Sequence, residues 1–336
     1  MITITDDWKY KGFQTVILEN DRIRVVLVPE VGARVIEFYD KKNNVDLCWR
    51  NPRNDLRAPV FHPVNSNDWW TGGIDDIFPT DFPCDYQGEP LPFLGELWSV
   101  AWAYSLSERG AQAVAASFRV KTLISPFEVV KQVRLEKDAD WFTLSYRITN
   151  CGFGGYDFFF GIHPGVSVYP GSRLLFPITQ AVVDENWPAE RFCPKGTEYS
   201  WPNLPLKGGG SYDLSIVPEP SARLWMFHYG LKLDRGYLAV WHPVLHQAYA
   251  AVFDPGVFTH LLFYLGYGGW RHTYSVIPQI ATGYPATLTE VIQAGRQQTL
   301  APGETWEAAA RFFCLTGMGS EDAVGRRLEH ESGRGQ

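Results

Sequence analysis

Two parts of this chain carry residues able to do chemistry: a histidine at the end of an apolar run, and a loop that mixes indoles with carboxylates. The first reads Phe158-Phe159-Phe160-Gly161-Ile162-His163-Pro164-Gly165. The phenylalanines read as a buried strand, and Pro164 stops regular pairing, so the strand delivers one imidazole at its end. An imidazole in that position exchanges protons near neutral pH. The plain alternative is a core histidine bonded to a carbonyl. The second part is residues 50–100, rich in Pro, Asn, Asp and Gly and without hydrophobic period. A stretch this long is more than a connector, and such loops usually serve function. It carries His62, Trp69, Trp70, Asp75, Asp76 and Glu96. An indole packs on the C–H face of a sugar while carboxylates accept its hydroxyl hydrogens, so all of these are candidate substrate contacts. Asp75 and Asp76, if on a strand, point to opposite faces.

The elements that must position these groups read as β-strands. Ile23, Val25 and Leu27 alternate with polar residues, a turn follows at Pro29–Gly32, and Ile36 and Phe38 continue on a second strand. Phe127, Val129, Val133 and Leu135 share one parity, interrupted by Lys131, and Phe142, Leu144, Tyr146 and Ile148 share another. That is an antiparallel pair with one buried face. Residues 171–220 read as loop-rich. Shorter strands are expected at 223–227, 237–241, 247–253, 261–265 and 306–314. Only the tail looks helical, capped by Ser320 with Glu321 and Asp322 in its first turn. No linker or repeat divides the chain, so one β domain over 1–318 is expected, followed by a short helix and tail over 319–336.

Composition narrows the function classes. The chain has 336 residues, of which 45% are hydrophobic and 15% aromatic, which supports a large β core with aromatic-lined pockets. Its net charge of −7, with no basic run, speaks against a nucleic-acid partner. No secretory leader and no membrane span are expected. The five cysteines are scattered without a CxxC pair, so neither a zinc knuckle nor a disulfide framework is indicated, and a cytoplasmic setting fits. His242 and His246 have metal-pair spacing, but Pro243 and the β context make a metal site unexpected. His228, Asp234, Trp270 and Arg271 lie at strand ends or turns and are further candidate sugar contacts.

The stretch LSYRITNCGFGGYDFFFGIHPG (144–165) resembles the aldose 1-epimerase, or galactose mutarotase-like, family, in which an aromatic strand delivers a histidine after an Asn-containing turn. Three other blocks agree: DRIRVVLVPEVGARVIEFYD (21–40), LPFLGELWSVAW (91–102), and VIPQIATGYPATL (276–288) with LAPGETWEAAARFF (300–313). They occur in family order over nearly the whole chain. The resemblance implies a β-supersandwich of two large antiparallel sheets and a monosaccharide in a concave cleft. It further implies anomer interconversion by acid/base ring opening without a cofactor.

By position His163 matches the family's general acid. Leu94 stands where the family has a sugar-contacting histidine, and Gln279 where it has the catalytic glutamate. An amide cannot take a proton as a carboxylate does. Glu290, Asp75, Asp76 and Glu96 are the alternative bases. Two further functions remain open: a sugar-binding protein that has lost its base, and a glycosidase or lyase built on carboxylates of the 62–96 loop. The sugar, its phosphorylation and the choice between monomer and dimer are not legible.

Overall fold

The computed structural model describes residues 1–61 and 68–333. Half of the residues lie in strands and 7% in helices, which makes the chain all-β with large antiparallel sheets. Two compact units share it: Met1–His163 with Ala281–Arg311, and Pro164–Ile280 with the residues from Phe312 onward.

In the first unit one ladder runs Thr3–Thr5, Val16–Glu19, Ile23–Val28, Arg34–Asp40, Ile74–Ile77 and Gly161–Pro164 in spatial order. The hairpin expected near residues 23–40 is present, with Val25 opposite Phe38. A register shift between Val26 and Leu27 breaks its alternation. Val25 to Val28 are consequently all buried, where strict period two would expose half of them.

A second sheet of the same unit contains Ala103–Arg109, Ala113–Lys121, Phe127–Glu136 and Trp141–Asn150, and the strand Thr305–Thr316 joins it. Both expected apolar faces are buried, and Val133 pairs with Leu144 and Val129 with Ile148. Lys131 does not leave the buried face. It is fully buried, and its ammonium donates to Asp76 at 2.8 Å and to the Ala33 carbonyl at 2.9 Å. The break in the hydrophobic pattern was therefore the signature of an internal ion pair between the two sheets of this unit.

In the second unit the strands Tyr274–Ala281, His260–Tyr267, Leu224–Gly230, Gln180–Trp187 and Glu198–Ser200 follow one another. Arg173–Leu175, Tyr237–His242 and Gln247–Phe253 form another group. The C-terminal helix Glu321–Ser332 is capped by Ser320, whose hydroxyl accepts from the Ala323 amide at 3.2 Å. It buries Val324 and Leu328.

Three segments differ from the sequence reading. Ile74–Ile77, inside the supposed loop, is a strand buried throughout. Gln180–Trp187 is an eight-residue strand within the stretch read as loop. Leu288–Gln293 is a short helix with Thr287 as its N-cap. In each case flanking Pro and Gly masked a short element that tertiary packing stabilises.

Candidate active site

Three neighbouring strands of the first unit each contribute one polar side chain to a single cluster. The Val35–Ile74 pairing sets Arg34 beside Asp75, and Gly161–Pro164, the next strand, carries His163. The chain reaches Ile74 through Gly72 and Gly73, at φ +86° and +91°. A Cβ on Gly72 would fall 1.9 Å from the Trp49 carbonyl oxygen, and one on Gly73 would fall 2.3 Å from that of Val35. Only glycine permits so close an approach. This tight entry seats Trp70 against Trp49, with stacked rings 5.3 Å apart. Asn51 and Asn54 fix the Trp70 backbone, their amides donating to its carbonyl at 3.0 and 3.1 Å.

The side chains interlock around one carboxylate. Arg34 Nε donates to Asp75 Oδ1, and the Trp70 indole N–H donates to Oδ2 at 2.5 Å. Arg34 Nη1 donates to the Thr71 hydroxyl at 2.7 Å. Arg34 and Asp75 are each 1% exposed. The Trp70 ring also meets the His163 ring edge-on, with centroids 5.2 Å apart. Two buried polar atoms in this cluster have no partner: Arg34 Nη2 and His163 Nδ1. A buried polar atom left without a hydrogen bond costs about 1–3 kcal/mol, and these two are among several such atoms in the structure.

The electrostatics keep the imidazole neutral. Burial, and then the Arg34 charge, push the His163 pKa down to about 3. Burial raises the Asp75 pKa, opposed by Arg34 and the indole N–H. At neutral pH the cluster therefore offers an uncharged imidazole, a fixed guanidinium N–H and an indole. The carboxylate that holds this assembly already has both oxygens engaged.

No protein-family model matches the chain. An α-amylase from Pyrococcus horikoshii is 25% identical over 154 residues, a match that spans 43% of this chain and 23% of that protein. Solved structures align over far more of it. An aldose 1-epimerase candidate from Klebsiella pneumoniae superposes with a TM-score of 0.74 at 13% identity, covering 98% of this chain and 87% of its own. The Slr1438 protein of Synechocystis sp. PCC 6803 gives 0.67 at 16%, covering 94% and 99%. A galactose mutarotase-like protein from Clostridium acetobutylicum gives 0.62 at 10%, covering 94% and 99%. The chain has the galactose mutarotase-like fold.

Within this mutarotase-like fold the expected site residues separate. His163, Trp70 and Asp75 come together, as described. Trp69 is half-buried under the Arg57 guanidinium, 3.9 Å from its ring. His62 lies outside the described residues. Asp76 points to the opposite face from Asp75 and is fully buried. It accepts from Lys131 and, at 2.7 Å, from the Tyr146 hydroxyl, so it is a core ion-pair partner and not a sugar contact. Glu96 is also corrected. It is fully buried and accepts from the amides of Leu123, Ile124 and Ser125 and from the Ser125 hydroxyl, at 2.5–3.0 Å. Its carboxylate organises that turn and has no capacity left for a ligand. Glu290 is exposed on the helix Leu288–Gln293, and the Thr287 hydroxyl donates to it at 2.5 Å. The Thr287 hydroxyl in turn accepts from the Glu290 amide at 3.3 Å, the N-cap bond of this helix. A cap, not a base, is the reason for a glutamate there.

The remaining candidates belong to the second unit. Gln279 is buried on Tyr274–Ala281. His228 is fully buried, bonded through Nδ1 to the Tyr199 hydroxyl and through Nε2 to Asn186 Oδ1, each at 2.7 Å. With both nitrogens engaged it is a structural residue. Asp234 is exposed, its amide bonded to the Pro177 carbonyl. Trp270 and Arg271 form the turn after His260–Tyr267, with the guanidinium 4.7 Å from the indole. His242 is buried against Ser172 while His246 is exposed on the following turn, and no metal-binding cluster exists among the described residues.

Sequence reasoning missed Arg34, Thr71 and Trp49. For Arg34 there was a signal: a lone arginine entering a strand whose neighbours are Val31, Ala33, Val35 and Ile36. A cation so placed needs an internal partner.

Proposed function

We propose that this chain interconverts the anomers of a neutral monosaccharide, with His163 as the group that moves the proton. The observation that carries this reading is the neutral His163 imidazole at the end of its strand, set edge-on against the Trp70 indole and within the field of Arg34. The mutarotase-like fold supports it. Because His163 is neutral in the free site, it enters the cycle as an acceptor. The imidazole takes the O1 proton as the C1–O5 bond breaks, the bond's electron pair going to O5 and the C1–O1 carbonyl forming. The imidazolium then returns that proton to O5. The aldehyde turns about the C1–C2 bond, and the reverse sequence closes the ring on its other face. No net proton is gained or lost. One residue thus covers both transfers, which fits a chain with Gln279 where a base was expected and with Glu290 used as a helix cap.

A second reading, sugar binding without turnover, is favoured by one observation: the only carboxylate of the cluster, Asp75, has both oxygens occupied. Glycoside hydrolysis requires two carboxyl groups flanking the bond. Asp76 and Glu96 are committed elsewhere, which removes the support for that alternative. Polarimetry of freshly dissolved α-aldoses separates the first two readings. The isomerase speeds relaxation above the buffer rate and His163→Ala abolishes the gain. A binder raises the melting temperature with sugar and leaves relaxation at the buffer rate.

A further inference from the structure

We infer that the cavity between the C-terminal helix and the turn at Asp234 is a second ligand site, and that it takes a small organic monocation with an apolar body, such as an aryl-substituted primary amine. This goes beyond the isomerase reading and does not depend on it. The cavity has a volume of about 500 Å³ and lies wholly within the second unit. Small-molecule sites usually fall between about 300 and 1,000 Å³. Its floor is apolar and includes the buried Phe176, Ile178 and Tyr237. Gly325, inside the helix Glu321–Ser332, forms part of the wall, and a Cβ there would meet no atom within 4 Å. Packing within the chain therefore does not require glycine at this position, and glycine is among the least favourable residues in a helix interior. Its presence keeps the wall open at a cost in helix stability.

The charges around the rim specify the ligand. Arg235 pairs with Glu329 and donates to the Tyr237 hydroxyl at 2.7 Å, and Arg173 meets Glu321 at 3.3 Å. Each of these pairs is neutral. The rim also carries the Asp234 and Asp322 carboxylates and the Arg326 guanidinium, none of which is in an ion pair among the described residues. Asp322 has a structural explanation, since it sits in the first turn of the helix, where the dipole favours an acid. The Asp234 side chain has none: it is exposed, and only its backbone amide is bonded, to the Pro177 carbonyl. Two carboxylates against one guanidinium leave a net negative charge above an apolar floor. Such a rim attracts one positive charge and repels a carboxylate or phosphate. A ligand with a cationic head and an apolar body satisfies both parts, its body on the floor and its head in the wet rim.

The test is a backbone-amide NMR titration of the full chain with three probes of similar shape: 2-phenylethylamine, 2-phenylethanol and 3-phenylpropionate. The amine should shift the amide signals of Asp234 and Gly325 and saturate with a Kd of about 1 mM or below. The alcohol should bind several-fold more weakly, and the carboxylate about 10-fold more weakly or less. Asp234→Asn combined with Asp322→Asn should weaken the amine several-fold and leave the alcohol unchanged, while Arg326→Gln should tighten the amine. All three side chains are exposed, so these variants keep the fold. Gly325→Leu should abolish binding of every probe by filling the cavity, and should raise the melting temperature because leucine suits a helix better than glycine. Gly325→Ala, a milder filling, should do both in part. The inference is overturned if the amine at about 10 mM, ten times the expected Kd, moves neither amide signal. It is equally overturned if the carboxylate binds as tightly as the amine, or if the amine binds the Gly325 and carboxylate variants as it binds the wild type.

Discussion

His163 and His228 are nearly a matched pair. Both are buried strand residues, and burial lowers the pKa of each to about 3. They differ in their hydrogen bonds. His228 has both ring nitrogens engaged, by Tyr199 and Asn186, whereas His163 leaves Nδ1 open next to an arginine with an open Nη2. A perturbed pKa therefore does not distinguish a site from a core here, and neither does an unpartnered nitrogen by itself, since the buried His242 also leaves Nε2 without a partner. The same contrast recurs one residue apart. Asp75 faces the open cluster, and Asp76 faces a closed one with Lys131 and Tyr146.

Substitution should split the two histidines. His163→Ala is expected to lower anomer exchange about 100-fold or more, the usual weight of a proton-transfer group. His228→Ala should leave exchange per folded molecule unchanged. It should instead cost about 2–4 kcal/mol in urea unfolding, because it strands Asn186 and Tyr199 inside the core. His163→Ala removes no hydrogen bond at Nδ1 and should cost less than half of that. A large stability loss at His163 with little loss of exchange would reverse the comparison.

The two aspartates sharpen it further. Lys131→Met leaves Asp76 buried without its counter-charge, with only the Tyr146 hydroxyl still donating to it, and chemical denaturation should register a loss of about 3–5 kcal/mol. Adding Asp76→Leu should restore most of it, since replacing a buried pair by apolar residues is often neutral.

The pH dependence follows from the same pKa values. His163 is neutral down to about pH 3, so kcat/KM is expected to stay flat from about pH 8 to about pH 5, where an ordinary histidine base would already have lost most activity. Stability behaves differently. An unfolded histidine takes up its proton near pH 6.5, and His163 and His228 in the fold do so only near 3. Their contribution is full above about pH 6.5 and is lost as the pH falls toward 3. Removing His228 should flatten stability against pH in that window, as seen in melting curves.

The smallest effects are expected at the helix Leu288–Gln293. Glu290→Gln keeps an acceptor for the Thr287 hydroxyl and should change neither exchange nor melting, while Thr287→Ala, which removes the N-cap, should cost about 1 kcal/mol.

Much of the fold was written in alternating apolar residues, as in Phe127–Leu135 and Phe142–Ile148, where one face is buried and the other solvated. The helix at 288–293 was legible in principle, because Thr287 and Glu290 have the spacing of a capped N-terminus, but it is only six residues long and lies between Pro285 and Gly295. For the site, His163, Trp70 and Asp75 were visible from residue type. Arg34 was not, since its role depends on which strand lies beside it, and the Val35–Ile74 pairing joins residues far apart in sequence. Glu96 could not be told from a ligand contact, because its donors are the backbone amides of residues 123–125, which carry no side-chain signature.

The most direct test of the site assignment is the side-chain ¹⁵N NMR spectrum of the histidines at neutral pH, titrated with a neutral aldose. The ring nitrogens of His163 should shift on sugar addition while both nitrogens of His228 stay fixed. A shift confined to His228, or no histidine shift under saturating binding, would contradict the assignment of the Arg34–His163 cluster as the sugar site.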